Sequence, residues 1–445
     1  MAKRLFGTDG IRGVAGEFPL DPATAHALGV ALGDVARHHS ASPEIVIGMD
    51  TRESGPWIAA QVAGGLSRVG VAARFAGVVT TPGVAYLTHN DSFVAGVMIS
   101  ASHNPYQDNG IKVFGHSGYK LPDEEEHEIE EEIFRLLESG VTAAPSSLTV
   151  DEGLDHRYLD HLLTTISTRL DGLRIVIDCG NGAASRLAPD LFRRAGAEVT
   201  AICAAPDGRN INLGCGALDL EALQKAVIER GADMGVAFDG DADRAIFVSK
   251  SGRIIDGDAV LLIAARDLAA RGRLAGARVV ATVMSNLGLE KALEREGVAL
   301  ARTSVGDKYV LEEMLRSGAT LGGEQSGHVI FTDYSTTGDG MLTALQIMSI
   351  AARAGSGLDE LTSGLETFPQ RLVNVRVREK KSLADLPSVV KEVRECETAL
   401  GDTGRILVRF SGTEPLARVM VEASDARQVD EFTTRIANAI KREIG

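Results

Sequence analysis

The hexapeptide Asp239-Gly240-Asp241-Ala242-Asp243-Arg244 carries the densest potential chemistry in the chain, lying between two apolar, β-rich runs at 234–238 and 245–248. On extended chain, carboxylates at i, i+2 and i+4 project to one side. Three such charges repel one another, and a cation is the natural neutraliser. An all-oxygen ligand set selects a hard ion, Mg²⁺ or Ca²⁺, over zinc. An EF-hand is excluded, because Lys250 stands where its closing Glu belongs.

A second cluster, Ser100-Ala101-Ser102-His103-Asn104-Pro105, follows the apolar strand expected over 93–98. That strand delivers two serines and a histidine into a loop at its C-terminal end, where α/β sheets place ligands. A serine is a weak nucleophile and needs a base or a metal. Two chemistries stay open beside a plain polar loop. One is acyl transfer by Ser102 with His103, although the GxSxG elbow is missing. The other is phosphoryl transfer with the serine oxygen beside the Asp-bound metal. Lys112 is a candidate acid/base or phosphate ligand.

Three further segments could hold a substrate. Arg409-Phe410-Ser411-Gly412-Thr413-Glu414-Pro415, with Arg418 beyond it, combines hydroxyls, a Gly-centred run of amides and two guanidinium groups, the makings of a phosphate clamp. The chain has no Walker A sequence and no Gly-Lys dipeptide, so the phosphate belongs to a small substrate rather than a P-loop nucleotide. Gly322-Gly323-Glu324-Gln325-Ser326-Gly327-His328 offers a carboxylate, a hydroxyl and an imidazole that can read sugar hydroxyls. Phe6-Gly7-Thr8-Asp9-Gly10-Ile11-Arg12-Gly13 offers Arg12 as a phosphate ligand.

These residues need a scaffold, and one supersecondary unit recurs three times. Runs at 44–47, 173–177 and 278–283 each lead into a polar or Gly-rich turn and a helix. The helices close on Gly70, Gly196 and Gly297, where a left-handed residue is needed before the next strand. This is βαβ grammar. The tail differs: alternation over 369–378, strands at 405–409 and 417–421, and a helix capped by Asp425 predict a smaller α+β domain. The expected fold is three related α/β domains and a smaller C-terminal α+β domain around a central active-site cleft, with bounds 1–150, 151–252, 253–368 and 369–445. The 445 residues by length alone suit about three domains at ~150 residues each. Segments at 140–151 and near Ser251 and Gly364 read as linkers. Two stretches carry no chemistry: the acidic run 123–132 reads as a solvated helix start, and Gly180-Asn181-Gly182 lacks the third glycine of a dinucleotide fingerprint.

Composition narrows the partners. The 46 basic and 61 acidic residues give a formal charge of −15, which disfavours nucleic acid. Cys179, Cys203, Cys215 and Cys396 show no metal or disulfide spacing and read as scattered reduced thiols of a cytoplasmic protein. The longest apolar run, 259–265, is far short of a membrane span.

Taken together and in this order, the motifs from Phe6 to Arg418 resemble the α-D-phosphohexomutase superfamily. The resemblance implies a phosphoserine at Ser102 and Mg²⁺ held by Asp239, Asp241, Asp243 and a phosphoryl oxygen on Ser102. It places Asp307, Glu324, Ser326 and His328 at the sugar. Arg409, Ser411, Gly412, Thr413 and Arg418 fall at the non-reacting phosphate, and Arg12, Lys112 and Arg244 near the transferring one. General acid/base work falls to Lys112 or His328. FGTDGIRG and GEQSGH resemble the amino-sugar branch more closely than the glucose- and mannose-phosphate branch. Glucosamine 6-phosphate and 1-phosphate are thus the implied substrates, interconverting through a 1,6-bisphosphate to feed UDP-N-acetylglucosamine and cell-wall synthesis. The alternative is a phosphomannomutase/phosphoglucomutase. Closure of the fourth domain is expected, as is a homodimer, with no nucleic-acid or membrane partner.

Overall fold

The computed structural model describes residues 5–7, 9–411 and 415–445. It divides into two compact units, one of Met1–Met284 with Leu300–Ser363, the other of Ser285–Ala299 with Gly364–Gly445.

The first unit opens with a six-stranded sheet built from β1 (Phe6–Gly7), β2 (Gly10–Val14), β3 (Glu44–Met49), β4 (Ala72–Val78), β5 (Ala95–Ile99) and β6 (Asp108–Gly115), in the order β1-β2-β6-β5-β3-β4. β3 lies parallel to β4 and β5, while β5 and β6 run antiparallel. Its helices are α1 (Pro22–His39), α2 (Gly55–Arg68), α3 (Thr81–Asn90) and α4 (Asp123–Glu138). α1 starts where its sequence says it should, with Pro22 in the first turn and Asp21 Oδ1 accepting from the amides of Ala23 (2.9 Å) and Thr24 (3.0 Å).

α4 contains the acidic run, and Asp123 to Glu126 fill its first turn, as the helix dipole favours. The expectation of a solvated start needs correcting at two positions. Glu126 and Glu130 are buried, because they share a face with Ile129, Ile133 and Leu136. Glu130 Oε2 accepts from the amides of Leu5 (2.7 Å) and Phe6 (3.2 Å) and so anchors β1.

The second sheet has the order β11-β10-β9-β7-β8, from β7 (Arg174–Asp178), β8 (Glu198–Ile202), β9 (Met234–Phe238), β10 (Ala245–Ser249) and β11 (Ile254–Ile255). β7 is parallel to β8 and β9, and β9 and β10 form an antiparallel hairpin that closes on the Phe238–Ala245 pair. α5 (Gly153–Thr164), α6 (Ala184–Ala195) and α7 (Glu221–Arg230) accompany it. The segment read as a linker over 140–151 is packed in part: Val150 bridges to Phe75, and the Asp151 amide donates to the Phe75 carbonyl at 2.8 Å.

The third sheet, order β13-β12-β14-β15, uses β12 (Arg278–Thr282), β13 (Ala299–Thr303), β14 (Leu321–Gly323) and β15 (Val329–Phe331). Its stretch of chain contains α8 (Gly257–Ala270), α9 (Leu287–Arg295), α10 (Asp307–Ser317), α11 (Gly340–Ala354) and the short α12 (Leu358–Leu361), with α9 belonging to the second unit. α11 is buried from Gly340 to Ala351, which explains why it lacks a polar face. The recurring unit is present in all three stretches: Gly70, Gly196 and Gly297 take φ of 77°, 109° and 71° after their helices.

In the second unit β16 (Gln370–Arg376), β17 (Gly404–Phe410) and β18 (Leu416–Ala423) form an antiparallel sheet, order β16-β18-β17, with α13 (Pro387–Leu400) and α14 (Ala426–Ile444). Asp425 caps α14 as expected, accepting from the Arg427 amide at 2.9 Å. Val375, Cys396, Val419, Val421, Phe432 and Ile436 are in its own hydrophobic core. Among the described residues no helix is long and apolar enough to cross a membrane.

Candidate active site

β5 ends at Ile99, and Ser102 sits three residues on with φ 51°, a left-handed conformation that costs a residue with a Cβ. Arg52 holds the loop in that shape. Its buried guanidinium donates from Nε to Asp50 Oδ2 (2.9 Å), from Nη2 to the carbonyls of Ser102 (2.9 Å) and Asn104 (2.8 Å), and from Nη1 to those of Asp108 (2.9 Å) and Pro105. Every guanidinium N–H is thus used. Asp50 Oδ2 also accepts from Ser100 Oγ at 2.7 Å, and that oxygen accepts from the Ser102 amide at 2.9 Å. From the loop between β8 and α7, Asn212 Nδ2 donates to the Ser102 carbonyl (2.9 Å). Gly240 passes so near that a Cβ there would lie 2.4 Å from the same oxygen.

The Asp-rich hexapeptide is the turn of the β9–β10 hairpin rather than extended chain, so alternation along a strand is not what aligns its carboxylates. Ala242, at φ 55°, reverses the backbone, and the tight turn makes Asp239, Asp241 and Asp243 converge. One oxygen from each lies within 4.8 Å of the others, and all three residues are buried. Ser102 Oγ donates to Asp239 Oδ2 at 2.6 Å. Asp241 Oδ2 accepts from Lys112 Nζ (2.8 Å) and Thr81 Oγ1 (2.5 Å).

One ammonium does not balance this cluster. Burial, then the charges of Asp243 and Asp241, push the Asp239 carboxyl well above its usual range. Burial works in the same direction on Asp243, but Lys112 and His328 outweigh it and hold that carboxyl low. Asp241 Oδ1 and Asp243 Oδ1 are buried without a hydrogen-bond partner among the described residues. Hard oxygens, excess negative charge and unused lone pairs are what a divalent cation satisfies, so the triad fits a metal.

Around it lies a cavity of ≈ 410 Å³, lined in part by Arg12, Ser102, His103, Asp243, Arg244, Asp307, Glu324 and His328. Buried Lys112 lies 3.1 Å from Asp9 and 3.8 Å from Asp243 besides its bond to Asp241. Despite burial, these carboxylates keep its ammonium charged well past the usual range. Arg12 pairs with Asp9, and the Nε atoms of Arg12 and Arg244 are buried with no hydrogen-bond acceptor among the described residues. His328 Nε2 accepts from the Gly338 amide (3.2 Å), which assigns the ring proton to Nδ1, 3.6 Å from Asp243. Glu324 Oε1 accepts from the Gly306 amide (3.2 Å). Ser326 stands beside it, Oγ 3.5 Å from Glu324 Oε2. His103 Nδ1 is 3.3 Å from Ser102 Oγ, and burial, followed by Arg244 and Arg12, lowers its affinity for a proton.

In the second unit, Arg409 and Arg418 are directly paired across β17 and β18. Two guanidinium groups at facing positions can grip one anion between them. Burial and Arg418 together pull the Arg409 pKa down. Ser411 is buried next to them; Gly412 and Thr413 lie outside the described residues.

Four contributors were not evident from their own segments. Asp50 and Arg52 brace the Ser102 loop, and Thr81 hydrogen-bonds Asp241. Lys120 donates to Asp9 (2.5 Å) and Asp307 (2.6 Å), joining the N-terminal segment to the start of α10. The available signal was positional: Asp50-Thr51-Arg52 directly follows β3, at the same end of the sheet as Ser102.

Comparison with known proteins places this geometry. Four patterns of the phosphoglucomutase/phosphomannomutase family match in order: alpha/beta/alpha domain I over residues 3–139, domain II over 156–252, domain III over 256–368 and the C-terminal domain over 372–439. A phosphoglucosamine mutase of Solibacter usitatus is 67% identical over 445 residues, with 100% of both chains covered. A crystal structure of a phosphoglucomutase/phosphomannomutase family protein from Burkholderia thailandensis superposes with a TM-score of 0.79 at 24% identity, covering 98% of this chain and 97% of that one. Aspergillus fumigatus N-acetylphosphoglucosamine mutase in complex with GlcNAc-6P and magnesium superposes with 0.62 at 19% identity, covering 99% and 96%. At these identities the two structures speak for the fold alone.

Proposed function

We propose that this chain, which belongs to the phosphoglucomutase/phosphomannomutase family and within it to the phosphoglucosamine mutases, interconverts glucosamine 6-phosphate and glucosamine 1-phosphate by way of a phosphorylated Ser102. The observation that carries the reading is the 2.6 Å bond from Ser102 Oγ to a buried triad of carboxylates with unused oxygens.

In the forward direction the phosphoserine O–P bond breaks as a bond forms to the sugar's O1, giving the 1,6-bisphosphate. The proton of that hydroxyl passes to a general base. The bisphosphate reverses end for end, and the phosphoryl group at O6 returns to Ser102 Oγ while O6 regains a proton. Asp239, Asp241, Asp243 and Ser102 would hold Mg²⁺, the ion named in the Aspergillus complex, and when bound it neutralises charge on the transferring phosphoryl oxygens. Arg12 and Arg244, with unsatisfied Nε donors in the same cavity wall, bind those oxygens. Lys112 is tied to three carboxylates and acts as fixed positive charge. Proton transfer is then assigned to His328, whose Nε2 must exchange the Gly338 amide for the sugar hydroxyl when it acts as the base. Asp307, Glu324 and Ser326 bind the sugar, and Arg409, Ser411, Gly412, Thr413 and Arg418 bind the phosphate that is not reacting. A cytoplasmic location and a homodimer accompany this reading, with no nucleic-acid or membrane partner.

The test is a mutase assay after priming with a hexose 1,6-bisphosphate, run beside intact-mass measurement of the phosphoserine. A higher kcat/KM for glucosamine 1-phosphate than for glucose or mannose 1-phosphate supports the proposal; the reverse order moves the chain to phosphomannomutase/phosphoglucomutase activity. The 3.3 Å approach of His103 to Ser102 favours one other reading, a serine hydrolase. Metal-independent esterase activity with fluorophosphonate labelling of Ser102 would establish it instead.

A further inference from the structure

Two of the four thiols that look scattered along the chain meet in space. Asp178 closes β7, Cys203 follows β8 and Cys215 lies in the loop before α7, and one ligand atom from each falls within 4.8 Å of the other two. Asp178 and Cys215 are buried, whereas Cys203 is half-buried and opens the cluster to solvent. The backbone is built around the group. Cys203 holds φ 47° against the strain of a side chain there, fixed by the Asn181 amide on its carbonyl (2.7 Å). Asp178 accepts from the Gly180 amide (2.8 Å) and the Gly216 amide (3.1 Å), which orient its carboxylate and leave a lone pair on each oxygen. Asn181 Nδ2 points at Cys215 Sγ from 3.7 Å, the kind of outer contact that steadies a metal-bound thiolate.

We propose that Asp178, Cys203 and Cys215 form a three-ligand site for a borderline-soft divalent cation of the zinc class, separate in chemistry from the all-oxygen triad at Asp239. Two thiolates and a carboxylate match that class, and the solvent side at Cys203 provides the fourth position. As the ion binds, the two thiols release their protons to solvent, so affinity rises with pH. An oxidant is the weaker candidate. Burial, followed by the Asp178 charge, raises the pKa of both thiols, and Asp219 adds to this at Cys215; a thiol so placed is a poor nucleophile. The site also touches the machinery. The Asn212 amide donates to the Gly180 carbonyl (2.8 Å) and its Nδ2 donates to the Ser102 carbonyl (2.9 Å), so an ion here braces the Ser102 loop from behind.

The experiment uses the full-length chain, reduced, anaerobic and with saturating Mg²⁺, titrated with Co²⁺. We expect a thiolate-to-cobalt charge-transfer band saturating at one ion per chain, displaced by Zn²⁺ and not by more Mg²⁺. Oxygen ligands give no such band, so the Asp239 triad does not imitate it. Cys215→Ser and Asp178→Asn should each weaken the affinity by more than about tenfold. Cys203→Ser, at the half-buried position, covers the case in which the buried variants fail to fold, and Cys396→Ser should change nothing. Absence of the band in the unmodified chain overturns the proposal, as does a band that survives in Cys203→Ser. Loss of two free thiols to a disulfide in air, with no cobalt band beforehand, would also overturn it in favour of a redox pair.

Discussion

Arg52 Nη2 lies 2.9 Å from the carbonyl oxygen of Ser102, and the same guanidinium binds three more carbonyls of that loop. The conformation of Ser102 is thus set by a residue that makes no bond to its hydroxyl. Lysine at position 52 keeps the charge but not the planar fork. Arg52→Lys should lower kcat by roughly 10²-fold with KM within about twofold, and reduce Ser102 phosphorylation seen by intact mass. Arg52→Gln leaves the buried Asp50 unpaired and should cost about 3–5 kcal/mol in denaturant unfolding. A purely structural role would move stability without lowering kcat in the lysine variant.

Ser102→Ala removes the acceptor of the phosphoryl group and little else. Turnover should fall by roughly 10³-fold or more, the added phosphate mass should vanish, and the unfolding midpoint should stay close to that of the parent. Steady-state kinetics and mass spectrometry read all of this.

Metal removal should reveal the strain in the Asp239 cluster. EDTA should stop the reaction and Mg²⁺ restore it. In EDTA, Asp239→Asn should be at least as stable as the parent, because it deletes a charge that burial and two neighbours disfavour. With Mg²⁺ the order should reverse, since only the parent gains fully from binding. Paired thermal melts decide it; the same order in both buffers would contradict a cation site here.

Asp339 caps α11 and accepts from Tyr158 OH at 2.8 Å; Gly340, the first residue of α11, donates to the Ala242 carbonyl in the Asp-rich turn. Burial pushes its pKa up to about 6. The folded state therefore holds a proton that the unfolded state has lost. Its contribution is fully present below about pH 4 and disappears as pH rises through 6. Asp339→Asn keeps the cap without the charge, so its stability relative to the parent should improve by ~2–3 kcal/mol between pH 4 and 7. Urea titrations at both pH values measure this.

The facing pair Arg409 and Arg418 predicts an anion site that can be separated from catalysis at Ser102. Arg418→Gln should raise KM for the phosphosugar by about 10–100-fold while leaving Ser102 phosphorylatable. Inorganic phosphate should raise the melting temperature of the parent more than that of the variant. Unchanged KM in Arg418→Gln would remove these residues from substrate binding.

Much of this protein is determined locally, and that part was legible in its sequence. The three βαβ stretches follow from apolar runs, turn residues and a left-handed glycine within a few positions of one another. The expectation of a cation site at Asp239, Asp241 and Asp243 follows from three like charges inside one hexapeptide, and the three carboxylates converge although a reversing turn, not a strand, unites them. Distant pairing was decided only by the tertiary structure. Ser102 meets Asp239 across 137 residues, Thr81 meets Asp241 across 160, and Lys120 meets Asp307 across 187. Each of these side chains belongs to a common residue type in an unremarkable segment. Their energies come from removing charges and hydroxyls from water at one shared place, which no local spacing encodes. Glu126 and Glu130 show the same limit from the other side. They stand in an acidic run that looks solvated, yet they are buried because one helical face packs inward and β1 needs acceptors for its amides.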